Sequence, residues 1–564
     1  MQDTRGQSAV VVDPITVSVI AHRLRAIVEE MGEAMLRTSY SQILNSSRDF
    51  STAICDAGGR LLAQAEHGPV HVGAMSWAAR SVQGRFAGDI HPGDVFLLND
   101  PYHGGNHLPD VTAFVPVFVD GVHRFWSINR AHQSDIGGAT HGAYNPAATE
   151  IWQEGLRIPP LRLYEKGRLR DDLLDMIALN VRHARDFRGD LAAMVGSARL
   201  AEKRLLELAA ETGTASLDVA IEAVLDGAER RARAIVAAWP DGVYKGEAVL
   251  DDDGHGRRDI TIRATVTISG SDFHVDLTES DPQSLGFVNS SHANMQSAVC
   301  MAFAYLIDPD IPKNDGSFRP IKVTAKPGTI VWAEEGRPVT LCTSHCSNEI
   351  VEAIVTALEP AAPDRVMGGW GRRFRIAIQG RDPRTKKGFI WHLFQARPGG
   401  GGSIGGDGWS SVGEWHSAGG IKFGSLEVAE ARFPFLFRHH EFRPGSAGAG
   451  KFRGGYGCDL VMDVECDGIA KGNTAGDGVR HGSRGVLGGR DSATHRYVLR
   501  SAGRPDRELL TKETGIEIRP GDTLVIASAG GGGWGRATER DPERIEADRH
   551  NGLEATPASK QPSP

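Results

Sequence analysis

Imidazoles and carboxylates gather at the two ends of one otherwise apolar stretch, NDPYHGGNHLPDVTAFVPVFVDGVHRFWSINRAHQSD at residues 99–135. Nitrogens from His107 and His132 with an oxygen from Asp110 form a donor set that suits Zn²⁺, Mn²⁺ or Fe²⁺. Three protein ligands plus water is the pattern of a catalytic metal site. His103, His123 and His141 read as surface residues. Such chemistry requires that HLPD and NRAH meet, and the residues between them supply the means. VTAFVPVFV and VHRFWSINRA flank Asp120-Gly121, the dipeptide favoured by a two-residue type I′ hairpin turn. With a tight turn, Asp110 faces Ala131 and His132 faces Pro109, which makes His107 and His132 diagonal neighbours about 7 Å apart on one face. Strict alternation sends Asp110 to the other side, but Pro109 breaks the pleat and lets it turn toward the same point.

Other chemistry-bearing patterns are weaker. GSAGAGK (445–451) satisfies GxxxxGK, yet Phe452 stands where a hydroxyl should hold magnesium. GGGSIG (400–405) and GGGGWG (530–535) fit GxGxxG, but neither sits in the strand-to-helix setting of a dinucleotide site, and both read as turns. GGSIG also matches GxSxG, with Ser403 as would-be nucleophile but no following helix. Cys342 and Cys346 flank His345 without a fourth ligand, and buried thiols account for the pair.

The elements that must carry these residues can be read from periodicity. Asp13-Pro14 is a cap and first turn for a long amphipathic helix through Val17, Ile20, Leu24, Ile27, Val28, Met31 and Met35. RDFSTAICDAGGRLLAQ reads as two short strands around Gly-Gly and MSWAARSVQGRF as a helix, while residues 168–237 are largely helical. Alternating segments such as DITIRATVTISG and FHVDLTES follow, then a helix over NMQSAVCMAFAYLID. From 386 onward come short strands punctuated by glycine, of which the chain has 69, and these imply tight turns and close backbone approach. The expected fold is α+β: an N-terminal α/β metal-binding region (1–165), a helical segment (166–240), a mixed α/β region (241–385), a glycine-rich β-dominated region (386–535) and a charged tail (536–564) whose end is disordered.

At 564 residues and 40% hydrophobic content the chain can bury a large core. A net charge of −8 gives no electrostatic basis for nucleic-acid binding. No stretch approaches the roughly 18 apolar residues of a spanning helix, and the start has no export signal. Six cysteines without a CxxC pair fit a reducing cytoplasm.

RDFS (48–51), GDVFLLNDPYHGGNHLPD (93–110), NRAHQSDIGG (129–138), GKFRGGYG (450–457) and GGGGWG…RDPERIEAD occur in an order that resembles the hydantoinase B/oxoprolinase family over roughly residues 13–545. One departure is Trp534, where tyrosine is expected. The resemblance implies a metal held by His107, Asp110 and His132, with Asp49 of RDFS as a further ligand. It also implies a partner A subunit of the actin-like ATPase class, arranged as A2B2, that uses ATP to phosphorylate and so activate the carbonyl of a small cyclic amide. This chain would then be the B subunit that opens the ring with metal-bound water, with Asp135 or His103 relaying a proton. Two alternatives stay open: a metal-bearing subunit of an ATP-dependent ketone carboxylase, for which the chain is short, and a non-catalytic subunit whose four-ligand metal is structural.

Overall fold

The computed structural model describes residues 12–554 apart from Val72 and Phe423. The Asp13 carboxylate accepts the N–H groups of Ile15 and Thr16, and Pro14 opens α1 (Pro14–Thr38), whose buried stripe recurs at helical spacing. After the short α2 (Gln42–Asn45) come β1 (Phe50–Asp56), β2 (Leu61–Ala65), α3 (Ala74–Arg85), β3 (Val95–Leu98), β4 (Asp110–Val119), β5 (Val122–His132), β6 (Leu161–Glu165) and β7 (Arg168–Leu169). They form a seven-stranded sheet in the order β2-β1-β5-β4-β3-β6-β7. The helices α4 (Asp171–Leu179), α5 (Ala184–Thr212) and α6 (Thr214–Val236) follow. One sheet face buries Phe50, Ile54, Val115 and Val117 in the same apolar core as α1 and α5. The other presents Ala53, Cys55, Phe114, Trp126 and Ile128 to α3.

The β4–β5 hairpin turns through Asp120 and Gly121, both at positive φ (52° and 76°) as a type I′ turn requires. The first pairs out from the turn, Val119 with Val122 and Phe118 with His123, follow the expected register. Arg124 then bulges, and each pair from Val117–Phe125 to Asp110–His132 is displaced by one residue. The expected pairing of Asp110 with Ala131 is therefore corrected: Asp110 lies directly opposite His132, because one extra residue in β5 reverses the facing of everything beyond it. No kink at Pro109 is needed.

A second sheet, of β8 (Gly242–Asp252), β9 (Arg258–Ser269), β10 (Asp272–Asp276) and β11 (Ile321–Thr324), packs with α7 (His292–Leu306); α8 (Asp315–Phe318) is short. The helix α9 (Cys346–Ala357) is buried at every residue. The remaining strands are β12 (Phe374–Arg381), β13 (Gly388–His392), β14 (Phe435–Phe442), β15 (Cys458–Val464), β16 (Ala470–Gly476), β17 (Arg496–Arg500), β18 (Arg507–Glu508), β19 (Lys512–Ile518) and β20 (Asp522–Ala527). They form two sheets, β13-β12-β16-β19 and β14-β15-β20-β17-β18, that share one core containing Ile376, Trp391, Leu460, Met462, Ile516 and Ile526.

The glycines of this last third do more than turn the chain. Residues 399–402 run beside four other segments and bond to all of them: Gly371 N–H reaches Gly399 O (2.9 Å), Gly400 N–H reaches Trp409 O (2.9 Å), Gly455 N–H reaches Gly400 O (2.7 Å) and Gly402 N–H reaches Gly532 O (2.9 Å). A strand in a sheet bonds to two neighbours; these segments interlock in three dimensions. A Cβ at Gly401 would lie 1.7 Å from the Gly368 carbonyl oxygen, and one at Gly454 would lie 1.8 Å from that of Gly531. GGGSIG does turn, at Ile404 and Gly405, as expected, and both it and GGGGWG are in addition parts of this lattice. The tail forms a helix over Pro542–His550, and residues 555–564 lie outside the described residues.

Candidate metal centre

Side chains alternate along strands, so the sheet face that meets α3 continues past that helix to Asp110 on β4 and to Arg130 and His132 on β5. The pairing of β1 with β5 places Phe50 opposite Ala131, and just before it the His132 N–H donates to the Asp49 carbonyl (3.0 Å). Asp49, His132 and Asp110 therefore stand side by side on three adjacent segments of the sheet. Arg48, at positive φ (59°), turns the backbone into this position.

His107 completes the group from the loop before β4. Its Nε2 lies 3.0 Å from Asp110 Oδ1 and 3.2 Å from His132 Nδ1, and His132 Nδ1 lies 3.1 Å from the same Asp110 oxygen. Ligand atoms bonded to one transition ion at about 2.0–2.2 Å sit about 3 Å apart, so this triangle has the dimensions of a coordination face. His107 Nδ1–H donates to the Thr340 carbonyl (2.6 Å), which fixes the tautomer and leaves Nε2 with its lone pair. All three side chains are buried; Asp110 Oδ2 meets His71 Nε2 at 3.2 Å, and His132 Nε2 has no hydrogen-bond partner. One carboxylate oxygen and two imidazole nitrogens, buried and within 3.2 Å of one another, fit a divalent cation. Among the described residues, this is the one group of three or more metal-ligating side chains close enough to share an ion.

Electrostatics bind the three together. Burial opposes charge on His107, but Asp110 and the Thr340 carbonyl outweigh it and raise its pKa. Burial also opposes charge on Asp110, and His107 and His71 overcome it and hold the carboxyl well below its ordinary range. His132 is lowered, chiefly by burial. The enclosed space beside them measures about 20 Å³, room for an ion or a water. Asp49 lines it, as do His71, Tyr144, Arg373, Arg375 and His416.

A family match spans nearly the whole chain: the model for hydantoinase B/oxoprolinase covers residues 13–537. This chain belongs to the hydantoinase B/oxoprolinase family. Among its relatives is the caprolactamase subunit beta of Pseudomonas jessenii, 34% identical over 551 residues that make up 96% of this chain and 94% of the relative. The crystal structure of the ATP-dependent caprolactamase from that organism superposes with a TM-score of 0.90 at 32% identity, over 96% of this chain and 95% of the other. An acetone carboxylase structure shares the fold, with a TM-score of 0.87 at 20% identity, over 96% of this chain but 78% of that longer one.

Not every residue singled out from the sequence reaches the centre of this family member. Asp135 turns away, its carboxylate accepting Arg182 Nη1 (2.9 Å) and the backbone N–H of Arg182 (2.8 Å) and Gly137 (3.2 Å). His103 pairs with Asp100 (3.0 Å) from a half-exposed turn. Neither borders the cavity, so the proton-relay role expected of them has no geometric support. His141 is buried, against expectation, beside Asn473. Cys342 and Cys346 donate to the carbonyls of Asn106 and Ile330. His71, unforeseen, comes within 3.2 Å of Asp110 Oδ2 while its Nδ1 meets Ser51 Oγ at 2.9 Å. Its only sequence signal is its type. Arg373 and Arg375 had a better one: in GRRFRI they alternate on an apolar strand, which puts both on one face.

Among the described residues no helix is long and apolar enough to cross a membrane.

Proposed function

We propose that this chain is the metal-bearing B subunit of an ATP-dependent cyclic amide hydrolase, which opens the ring after a partner A subunit, an actin-like ATPase in an A2B2 complex, phosphorylates the carbonyl oxygen. The near end-to-end likeness to the caprolactamase structure carries this reading, with the His107–Asp110–His132 triangle as its chemical support. The carboxylase alternative rests on a fold match that leaves about a fifth of the longer chain without a counterpart.

His107, Asp110 and His132 would hold a divalent ion, Zn²⁺, Mn²⁺ or Fe²⁺, whose Lewis acidity would polarise a carbonyl oxygen and bring the pKa of water toward about 7. The chain's own residues prepare the place. Thr340 fixes the His107 ring, and Asp110 offers the oxygen shared by both imidazoles. Asp49, which lines the cavity from just before β1 but lies outside the group of three, is the further ligand in this reading. His71, held by Ser51, orients the second Asp110 oxygen. Burial of the whole group excludes bulk water, which strengthens each of these interactions.

The test is His107→Ala in the co-purified complex, with bound metal, melting temperature and partner-dependent opening of hydantoin, 5-oxoproline and caprolactam all measured. Turnover should fall at least about 1,000-fold, with metal lost and melting nearly unchanged. Equal loss of melting temperature and turnover would favour a structural metal, and turnover that requires bicarbonate and a ketone would favour the carboxylase.

A further inference from the structure

The cavity beside the triangle is bordered by more positive charge than its own carboxylates require. Arg373 pairs with Glu414 (3.1 Å), and Arg397 behind it shares the same carboxylate (3.0 Å). Arg372, on the far side of the strand, pairs with Glu349 and Glu352. Arg375 differs from its neighbours. It is 3% exposed, and among the described residues it forms no ion pair with a carboxylate. Its guanidinium lies over the Tyr144 ring, 3.4 Å from the centroid, and one Nη bonds to Nδ1 of His392. The His392 ring is kept neutral by burial and by Arg375 itself. Nε of Arg375 has no partner at all. Burial pulls the Arg375 pKa down only to about 10, so it stays charged at neutral pH.

A buried guanidinium without a carboxylate partner is costly, and its free N–H leaves a donor that suits an entering anion. The surroundings agree. With Asp49 and Asp110 set against a divalent ion, the single carboxylate of Glu414 is shared by Arg373 and Arg397, and Arg375 adds a further positive charge to the lining. Tyr144 links the two halves of the cavity, since its ring stacks on His132 at 6.2 Å between centroids and on Arg375 with its other contact. The space of about 20 Å³ admits a water but not a phosphoryl group, so side chains must give way when one enters. Arg373 would have to loosen its Glu414 pair to respond, whereas Arg375 has no ion pair to break.

Resting on the hydrolase reading above, we propose that Arg375 is the anion-recognition residue of this cavity: its guanidinium grips the phosphoryl oxygens of the activated amide, with Arg373 as the second positive charge. Planar N–H donors match phosphoryl oxygens two at a time, which gives orientation as well as attraction. The role is one of binding and positioning, and it leaves the ion to the triangle.

The experiment uses the full chain as purified with its partner and loaded with metal. Inorganic phosphate is the probe, titrated by calorimetry against the wild type, Arg375→Gln and Arg375→Lys, with acetate as a parallel arm that reports a carboxylate site. Metal content and melting temperature are measured on each. Phosphate should bind the wild type, weaken at least 10-fold in Arg375→Gln and less in Arg375→Lys, with metal content unchanged and with KM for the cyclic amide raised more than kcat is lowered. Equal phosphate affinity in wild type and Arg375→Gln overturns the proposal, as does acetate binding more tightly than phosphate. If Arg375→Gln fails to fold, Arg375→Lys decides: wild-type affinity in it refutes recognition by the guanidinium fork. A complex that binds phosphate through Arg375 but opens no cyclic amide sinks the hydrolase reading and keeps the anion site. A complex that turns over while Arg375→Gln binds phosphate normally does the reverse.

Discussion

The metal face and the glycine lattice solve opposite problems. On the metal face, specific side chains are brought within 3.0–3.2 Å of one another by strand register and by the loop that enters β4, and the backbone beneath is an ordinary antiparallel sheet. In the lattice the side chains are absent and the backbone is the contact, with carbonyl oxygens where a Cβ would have to be. The first tolerates loss of a side chain because the sheet persists without it. The second tolerates no added atom, because several segments would have to move at once.

The sharpest way to break this comparison is to exchange the insults. Gly401→Ala adds one methyl group outside the lining of the cavity, yet that carbon would sit 1.7 Å from the Gly368 oxygen, which is backbone and cannot swing aside. We expect loss of soluble folded protein, a cost above about 4 kcal/mol, checked by expression yield and circular dichroism. Normal folding would show that the lattice yields locally. On the metal face, His71→Ala removes a whole imidazole beside Asp110 Oδ2. The fold should survive while metal affinity drops about 10- to 100-fold, as for other residues that orient a ligand from behind, measured by competition with a chelator.

A gentler probe acts through the loop that fixes His107. Glu154 is buried, its oxygens accepting the N–H groups of Val339 and Thr340 at 2.9 Å each, and burial raises its pKa to about 7. An acid with a raised pKa keeps its proton in the folded chain where the unfolded chain has lost it. Its contribution is therefore full at pH below about 4.5 and is lost as pH climbs through about 7. Relative to Glu154→Gln, the wild type should lose up to about 3 kcal/mol of stability over that window, read from denaturation midpoints at a series of pH values. Parallel curves would mean that the two backbone N–H groups hold Glu154 ionised throughout.

The two regions also differ in how far sequence reveals them. Helical spacing and Asp13-Pro14 announce α1, and Asp120-Gly121 announces the hairpin, because these signals act over a few residues. The bulge at Arg124 carries no such mark, and so the pairing of Asp110 with His132 was missed by one residue even though the convergence of His107, Asp110 and His132 was legible. His71 and His416 enter from loops whose approach depends on tertiary packing. The lattice is the extreme case. Its glycines are visible as composition, but which segment lies against which is set by backbone contacts between remote parts of the chain, and a glycine carries no pattern that names its partner.

The smallest expected effect tests whether the lattice does any chemistry. Ser403 sits in a GxSxG match inside it, the arrangement of a hydrolase nucleophile. In the structure its Oγ accepts the Gly405 N–H at 3.3 Å, its backbone exchanges 3.0 Å hydrogen bonds with Gly406, no helix begins after it, and it does not border the cavity. A serine nucleophile needs a base within about 2.6–3.2 Å, and among the described residues no histidine nitrogen is bonded to this hydroxyl. Ser403→Ala should therefore leave turnover within about twofold of wild type and metal content unchanged, since the hydroxyl offers only one weak bond. A 100-fold loss with metal retained would move the reacting centre into the glycine region and reverse the division of labour argued for the two halves.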